Sequence, residues 1–345
     1  MSHLLACSIL ERSKFGEPIW TWAYPSLTES QKSYVIKKTP IEDQKTFFYG
    51  KVKNIWFYVS DLMEGNPEKF PDVQNFSVIL WARDFNPDKY QKLGHVLSQV
   101  YGKTADPTQV LQHFISVMTI GICNIDGNGT PMEFGMVGKY KKTDLKELIK
   151  HFGLEAIVIY SAMLLKKRVI VYHHGLIQLL ESLKTFPSFI PHRKFDETLF
   201  PWFEVTDEGI AALRNRKFFV AGCYDNSILS HPELTDIFVN IPAKEITITP
   251  QSKDGLAMTK IQKDVALFLV QLSESESSEE DVIKKIGEKT HEIIDNMKSM
   301  TSTRDDGREV LYISRLKEND VNPAMMTFLI QLATAENILV LETEA

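Results

Sequence analysis

The residues whose spacing looks most like chemistry run from Asn124 to Pro131, an Asn-Ile-Asp-Gly-Asn-Gly-Thr-Pro string that imitates the first half of a calcium-binding EF-hand loop. Such a loop needs a bidentate carboxylate at its twelfth position, where this chain has Gly135, and it starts here from neutral Asn124. Gly and Asn dipeptides are turn formers first, so a plain turn is expected. His291-Glu292 opens like a zinc-protease helix, but Asp295 stands where the second histidine belongs. His173-His174 follows a predicted strand, where neighbouring side chains point to opposite faces and are badly placed to share an ion. Cys7, Cys123 and Cys223 are odd in number, sit in apolar surroundings and form no Cys-x-x-Cys pair, which argues for a reducing compartment. No Gly-x-Gly-x-x-Gly follows a strand, and neither a P-loop nor a Gly-x-Ser-x-Gly elbow occurs. The expectation is a protein with no metal, no cofactor and no bond-making residue set.

The elements around these positions change character along the chain. Short β-branched or aromatic runs at Leu4 to Leu10, Ile19 to Tyr24, Phe47 to Val52, Ile55 to Val59 and Phe76 to Trp81 predict one antiparallel sheet. The link from Arg12 to Pro18 suits a hairpin. After Asn86-Pro87 the spacing of Tyr90, Leu93, Leu97, Val100 and Tyr101 predicts a helix, and a second follows from Pro107 to about Gly121. Residues 124–140 are turn-rich and read as a linker. Beyond them, helical spacing from Lys141 to Phe152, a buried helix from Leu154 to Leu165, a strand from Arg168 to His173 and strands at Phe218 to Gly222, Ile237 to Ile241 and Glu245 to Thr249 predict an α/β lobe with a mostly buried sheet. From Ser252 the pattern is helical, with helices expected at Val282 to Met297 and Pro323 to Val340. The Ser/Glu-rich run from Ser273 to Asp281 has no apolar anchor and reads as a solvated loop. The expected division is residues 1–123, 124–140, 141–250 and 251–345.

Bulk properties narrow the function classes. A chain of 345 residues exceeds one ordinary core. A net charge of -6 argues against general nucleic-acid binding, which needs a clustered surplus of Lys and Arg. Apolar stretches such as Ala156 to Leu165 stop short of the roughly 20 residues of a bilayer crossing, and no targeting segment is read at the N-terminus. A cytoplasmic protein is expected, with any membrane association indirect.

Specific residues then suggest a family. Phe76-Ser77-Val78-Ile79-Leu80-Trp81-Ala82-Arg83-Asp84-Phe85-Asn86-Pro87-Asp88-Lys89-Tyr90 resembles the strand and helix that close the upstream part of DENN modules. Ala162 to Tyr172, with Lys166-Lys167-Arg168 between a helix and a strand, resembles the family's helix, basic turn and strand; Phe218 to Gly222 and His231 to Ile241 resemble its later segments. Trp20 to Ser26 and Glu245 to Pro250 resemble a short branch of that family in particular. Phe189-Ile190-Pro191-His192-Arg193 matches only loosely the aromatic-proline segment of larger members, and Val239-Asn240-Ile241 lacks their acidic strand end.

The resemblance covers Leu4 to about Val340 and implies a longin-like antiparallel sheet with helices, an α/β DENN lobe and a helical C-terminal part. It also implies guanine nucleotide exchange on a Rab GTPase in late endosomal trafficking, or else a Rab-binding or scaffold subunit of an endosomal sorting assembly. A small-molecule enzyme on the α/β lobe would require convergent titratable groups, and no convincing set is offered. The Rab-binding candidates are Trp22, Tyr24, Arg83, Asp84, Phe85, Asn86, Arg168 and His192, with a cleft between the first two lobes as their expected setting. Six of them have a structural alternative. Trp22 and Tyr24 could pack on a sheet face, Arg83 to Phe85 could cap or staple a helix, and Arg168 could be paired at a strand entrance.

Overall fold

Alternating and continuous apolar runs sort themselves here into two sheets of different kinds. The computed structural model describes residues 3–38, 46–123, 131–134, 143–304 and 307–343 and divides into two compact units, residues 1–142 and 143–345. The Asn124 loop, apart from Pro131, and most of the expected linker lie outside the described residues.

In the first unit, β1 (Leu4–Ser13) and β2 (Pro18–Tyr24) form a hairpin, followed by α1 (Glu29–Lys38). Gly16 has φ 83° at the hairpin tip, a left-handed conformation that glycine adopts without a Cβ penalty. Next come β3 (Phe48–Val52), β4 (Ile55–Val59), the short β5 (Met63–Glu64) and β6 (Val73–Ala82). The antiparallel order is β2-β1-β6-β4-β3, with β5 also on β6. β1 and β6 are buried along most of their length, so they occupy the middle, whereas β2 is exposed or half-buried and takes the edge. α2 (Pro87–Thr104) starts at Asn86, whose side chain accepts the Lys89 N–H, and α3 (Pro107–Ile120) starts at Asp106, which does the same for Thr108. Proline opens each helix, where its missing N–H costs nothing. β7 (Ile122–Cys123) and β8 (Met132–Glu133) complete the unit.

The second unit opens with α4 (Leu145–Phe152) and α5 (Ala156–Leu164). β9 (Arg168–Tyr172), α6 (Leu176–Leu183), β10 (Leu199–Phe200), α7 (Asp207–Arg214), β11 (Phe219–Cys223), β12 (Ile237–Asn240) and β13 (Glu245–Ile248) follow. The sheet order is β10-β11-β9-β12-β13, parallel except for β13. Val169, Ile170 and Val171 of β9 are completely buried, as a central parallel strand requires. Ile210 and Leu213 of α7 share a core cluster with Ile170, Phe219 and Ala221.

α8 (Lys260–Glu274) and α9 (Glu279–Lys298) lead into β14 (Ser302–Thr303), β15 (Glu309–Tyr312), α10 (Ile313–Glu318), α11 (Pro323–Ala335) and β16 (Leu339–Leu341). The helical C-terminal part therefore carries a three-stranded sheet, β14-β15-β16, as well. The helix expected to reach Val340 stops at Ala335 because Asn337 takes a left-handed φ of 61°, and the apolar residues beyond it pair in parallel with β15.

The Ser273 to Asp281 run departs from its expected role as a solvated loop. Ser273 is buried within α8, Ser278 caps α9 by accepting the Asp281 N–H, and only four residues separate the helices. The Glu279 carboxylate accepts the backbone N–H groups of Leu145 and Lys146 at 3.1 and 3.2 Å, capping α4 from a distant part of the chain. The Lys146 ammonium in turn donates to the carbonyls of Ser275 and Ser277 at 2.6 and 3.1 Å. A composition without apolar residues concealed these contacts because they are polar and non-local.

Candidate partner-binding site

The four consecutive candidates Arg83 to Asn86 occupy the turn by which β6 hands over to α2. Each has a different environment. The Tyr58 hydroxyl donates to the Asp84 carbonyl at 2.9 Å and accepts the Asn86 N–H at 3.0 Å, bridging the turn from β4. The Tyr90 hydroxyl donates to Asp84 Oδ1 at 2.5 Å. Phe85 is half-buried, its ring centroid 4.6 Å from Trp56 and 5.6 Å from Tyr49. Asn86 is the N-cap of α2. Arg83 donates its backbone N–H to the His3 carbonyl, and its exposed guanidinium has no partner among the described residues.

Burial pushes the Tyr58 and Tyr90 hydroxyls well above the ordinary phenol range, and the neighbouring Asp84 charge adds to it; for Tyr58 the Asn86 N–H partly opposes the rise. Both therefore stay protonated and available as donors at neutral pH. The sequence places Tyr58 in a strand run and Tyr90 in a helical stripe. Their hydroxyl roles escaped the sequence because the turn is 26 and 28 residues from Tyr58, although a buried tyrosine always raises the question of where its O–H goes.

Trp22 and Tyr24 alternate along the edge strand β2, with β1 between that strand and β6. Trp22 is half-buried, whereas Tyr24 is 40% exposed and sets its ring edge-on to Phe114 of α3 at 6.4 Å. The Tyr24-Pro25 peptide is cis.

The second unit holds the other two candidates. Arg168 opens β9 with a clamp on Asp236: its backbone N–H and Nε reach Oδ2 at 2.8 and 3.3 Å, Nη2 reaches Oδ1 at 2.9 Å, and Nη1 donates to the Glu233 carbonyl at 2.8 Å. Burial opposes ionisation of Asp236, but the hydrogen bonds and charge of Arg168, aided by Ser252, hold its carboxyl below the usual value. His192 is exposed, with its ring 5.1 Å from that of His291. Partial burial first, then the charge of Arg193, lowers its pKa. Arg193 itself caps the end of α5 through the Met163 and Leu164 carbonyls, at 3.0 and 2.7 Å, and pairs with Glu336.

Other suspected chemistry resolves locally. His173 and His174 lie past the end of β9, so strand alternation does not apply to them; their rings stack at 4.5 Å, and His173 Nδ1 accepts the Gly175 N–H in a turn. Among the described residues no group of three or more His, Cys, Asp or Glu side chains could hold a metal ion, and no helix is long and apolar enough to cross a membrane. A groove lined by Asp144, Glu147, His151, Glu181 and Thr185 encloses about 190 Å³. Small-molecule sites ordinarily run to roughly 300–1,000 Å³.

An antiparallel sheet unit followed by a largely parallel one makes this a mixed α/β protein. The Stabilization of polarity axis family matches residues 142–250, the parallel-sheet part of the second unit. DENN domain-containing protein 10 of Homo sapiens is 32% identical over 344 residues, covering 97% of this chain and 96% of its own length. The Danio rerio protein of that name is 32% identical over 97% of this chain, and that of Dictyostelium discoideum 30% over 96%. The chain belongs to the DENN domain-containing protein 10 family.

Proposed function

We propose that this protein binds a Rab-type GTPase and promotes release of its guanine nucleotide, acting peripherally on late endosomal membranes. The observation that carries the reading is family membership over nearly the whole length, which takes in both units. Within it, residues 1–123 are proposed as the longin-like lobe, 141–250 as the central DENN lobe and 251–345 as the downstream part. Trp22, Tyr24, Arg83, Asp84, Phe85, Asn86, Arg168 and His192 are the proposed partner-facing or partner-orienting residues, and the geometry above favours Arg83, Tyr24 and His192 for direct contact, since all three are exposed.

Exchange needs no nucleophile, only differential binding. A GTPase that holds nucleotide at about nM to pM affinity has about 12–16 kcal/mol of binding free energy. A partner that lowers the release barrier by about 4 kcal/mol accelerates release about a thousandfold, and nucleotide reciprocally weakens the partner. The test is fluorescent-GDP release across a Rab panel, paired with pull-downs on nucleotide-free forms. Faster release from at least one Rab is expected; neither release nor binding above background would reject the reading.

A second reading, a non-catalytic Rab-binding or scaffold subunit of an endosomal sorting assembly, is favoured by the end of β12. There Val239-Asn240-Ile241 has no carboxylate, and Asn240 Oδ1 is occupied in accepting the Ala243 N–H. Binding without accelerated release would select it.

A further inference from the structure

The turn after β6 is held far more tightly than a surface connection requires. Tyr58, 1% exposed, gives its single proton to the Asp84 carbonyl and takes the Asn86 N–H, so its hydroxyl ties the turn's backbone on both sides of Phe85. Tyr90, fully buried, ties down the Asp84 carboxylate, and its ring lies 4.6 Å from that of Tyr58. Phe85 packs on Trp56, and Asn86 is committed to the α2 cap. Within Arg83 to Asn86, the one polar head directed to no protein group among the described residues is the guanidinium of Arg83, and it stands exposed at the start of this fixed turn.

We infer that Tyr58 and Tyr90 are positioning residues whose hydroxyls lock the turn, so that the backbone carrying Arg83 is already fixed when its guanidinium meets carboxylates on the surface of the bound GTPase. This deepens the function proposed above and rests on it. A guanidinium offers a planar array of donors that matches carboxylate geometry, and holding its backbone in place before binding removes part of the ordering cost of association. Asp84, whose Oδ1 accepts the Tyr90 hydroxyl, acts in the lock.

The test is a double-mutant cycle on affinity for a Rab that the wild-type chain binds, using Tyr58→Phe, Tyr90→Phe, Arg83→Ala and their combinations, with urea midpoints measured on every variant. Arg83→Ala is expected to weaken binding about tenfold and to flatten its salt dependence. Tyr58→Phe keeps the ring and should weaken binding about fivefold in the wild-type background but less than twofold when Arg83 is already alanine. Equal losses in both backgrounds would show a merely structural tyrosine and overturn the inference. If Tyr58→Phe does not fold, Tyr90→Phe, which removes one hydroxyl and keeps the ring pair, carries the same cycle. Wild-type binding with Arg83→Ala unaffected sinks the inference alone, whereas a wild-type chain that binds no Rab sinks the proposed function and the inference with it.

Discussion

Asp236 and Phe85 show how a residue's type and its duty part company. An aspartate at the entrance of a strand could face solvent or a partner, but Arg168 encloses this one with three hydrogen bonds. Its folded-state carboxyl ionises more readily than in the unfolded chain, so the stability it contributes is complete above about pH 5 and disappears as pH falls through the lower folded value. Arg168→Met should cost about 2–3 kcal/mol at pH 7, because the carboxylate is left half-buried without its cation. Urea unfolding from pH 3 to 7 should then show that the variant's deficit shrinks toward acid; a deficit independent of pH would mean the pair is not the source. Phe85→Ala removes a ring packed on Trp56 and Tyr49 and should destabilise the first unit by about 2 kcal/mol, below the range for a fully buried ring. An unchanged urea midpoint together with weakened Rab binding would make Phe85 a contact residue instead.

The elements are joined by polar contacts that span long stretches of chain. Glu279, in the first turn of α9, supplies the cap that α4 lacks, since Asp144 makes no side-chain cap of its own. Glu279→Ala should therefore lower stability by about 1 kcal/mol through helix capping alone. Replacing Ser273 to Asp281 by a Gly/Ser linker also removes the Ser278 cap and the Lys146 bonds. The expected cost is about 3 kcal/mol, or roughly 6–12 °C in thermal midpoint for a unit of this size. A shift under a degree would return the segment to the class of solvated loops.

At the scale of the molecule, each unit has its own sheet and its own fully buried residues, Trp56, Phe57 and Phe76 in the first and Val169, Phe219 and Ile237 in the second. Residues 1–142 and 143–345, expressed separately, should each unfold cooperatively in urea. A broad, non-cooperative transition for either fragment would show that its core is incomplete without the other.

Much of the architecture was legible because it is written in nearest neighbours. The β4 run from Ile55 to Val59 coincides with its strand, Pro87 and Pro107 mark helix starts, and the buried run through Val169, Ile170 and Val171 announces a central parallel strand. The same local segments carried the family resemblance. What the sequence by itself determined was thus the kind of elements, the mixed α/β class and the family, since period, turn chemistry and burial tendency act over a few residues. Only the tertiary structure decided that Tyr58 and Tyr90 hold Asp84, that Arg168 holds Asp236 and that Glu279 caps α4. A buried hydroxyl, guanidinium or carboxylate must find a partner, but that need does not name the partner until folding has brought distant strands and helices together.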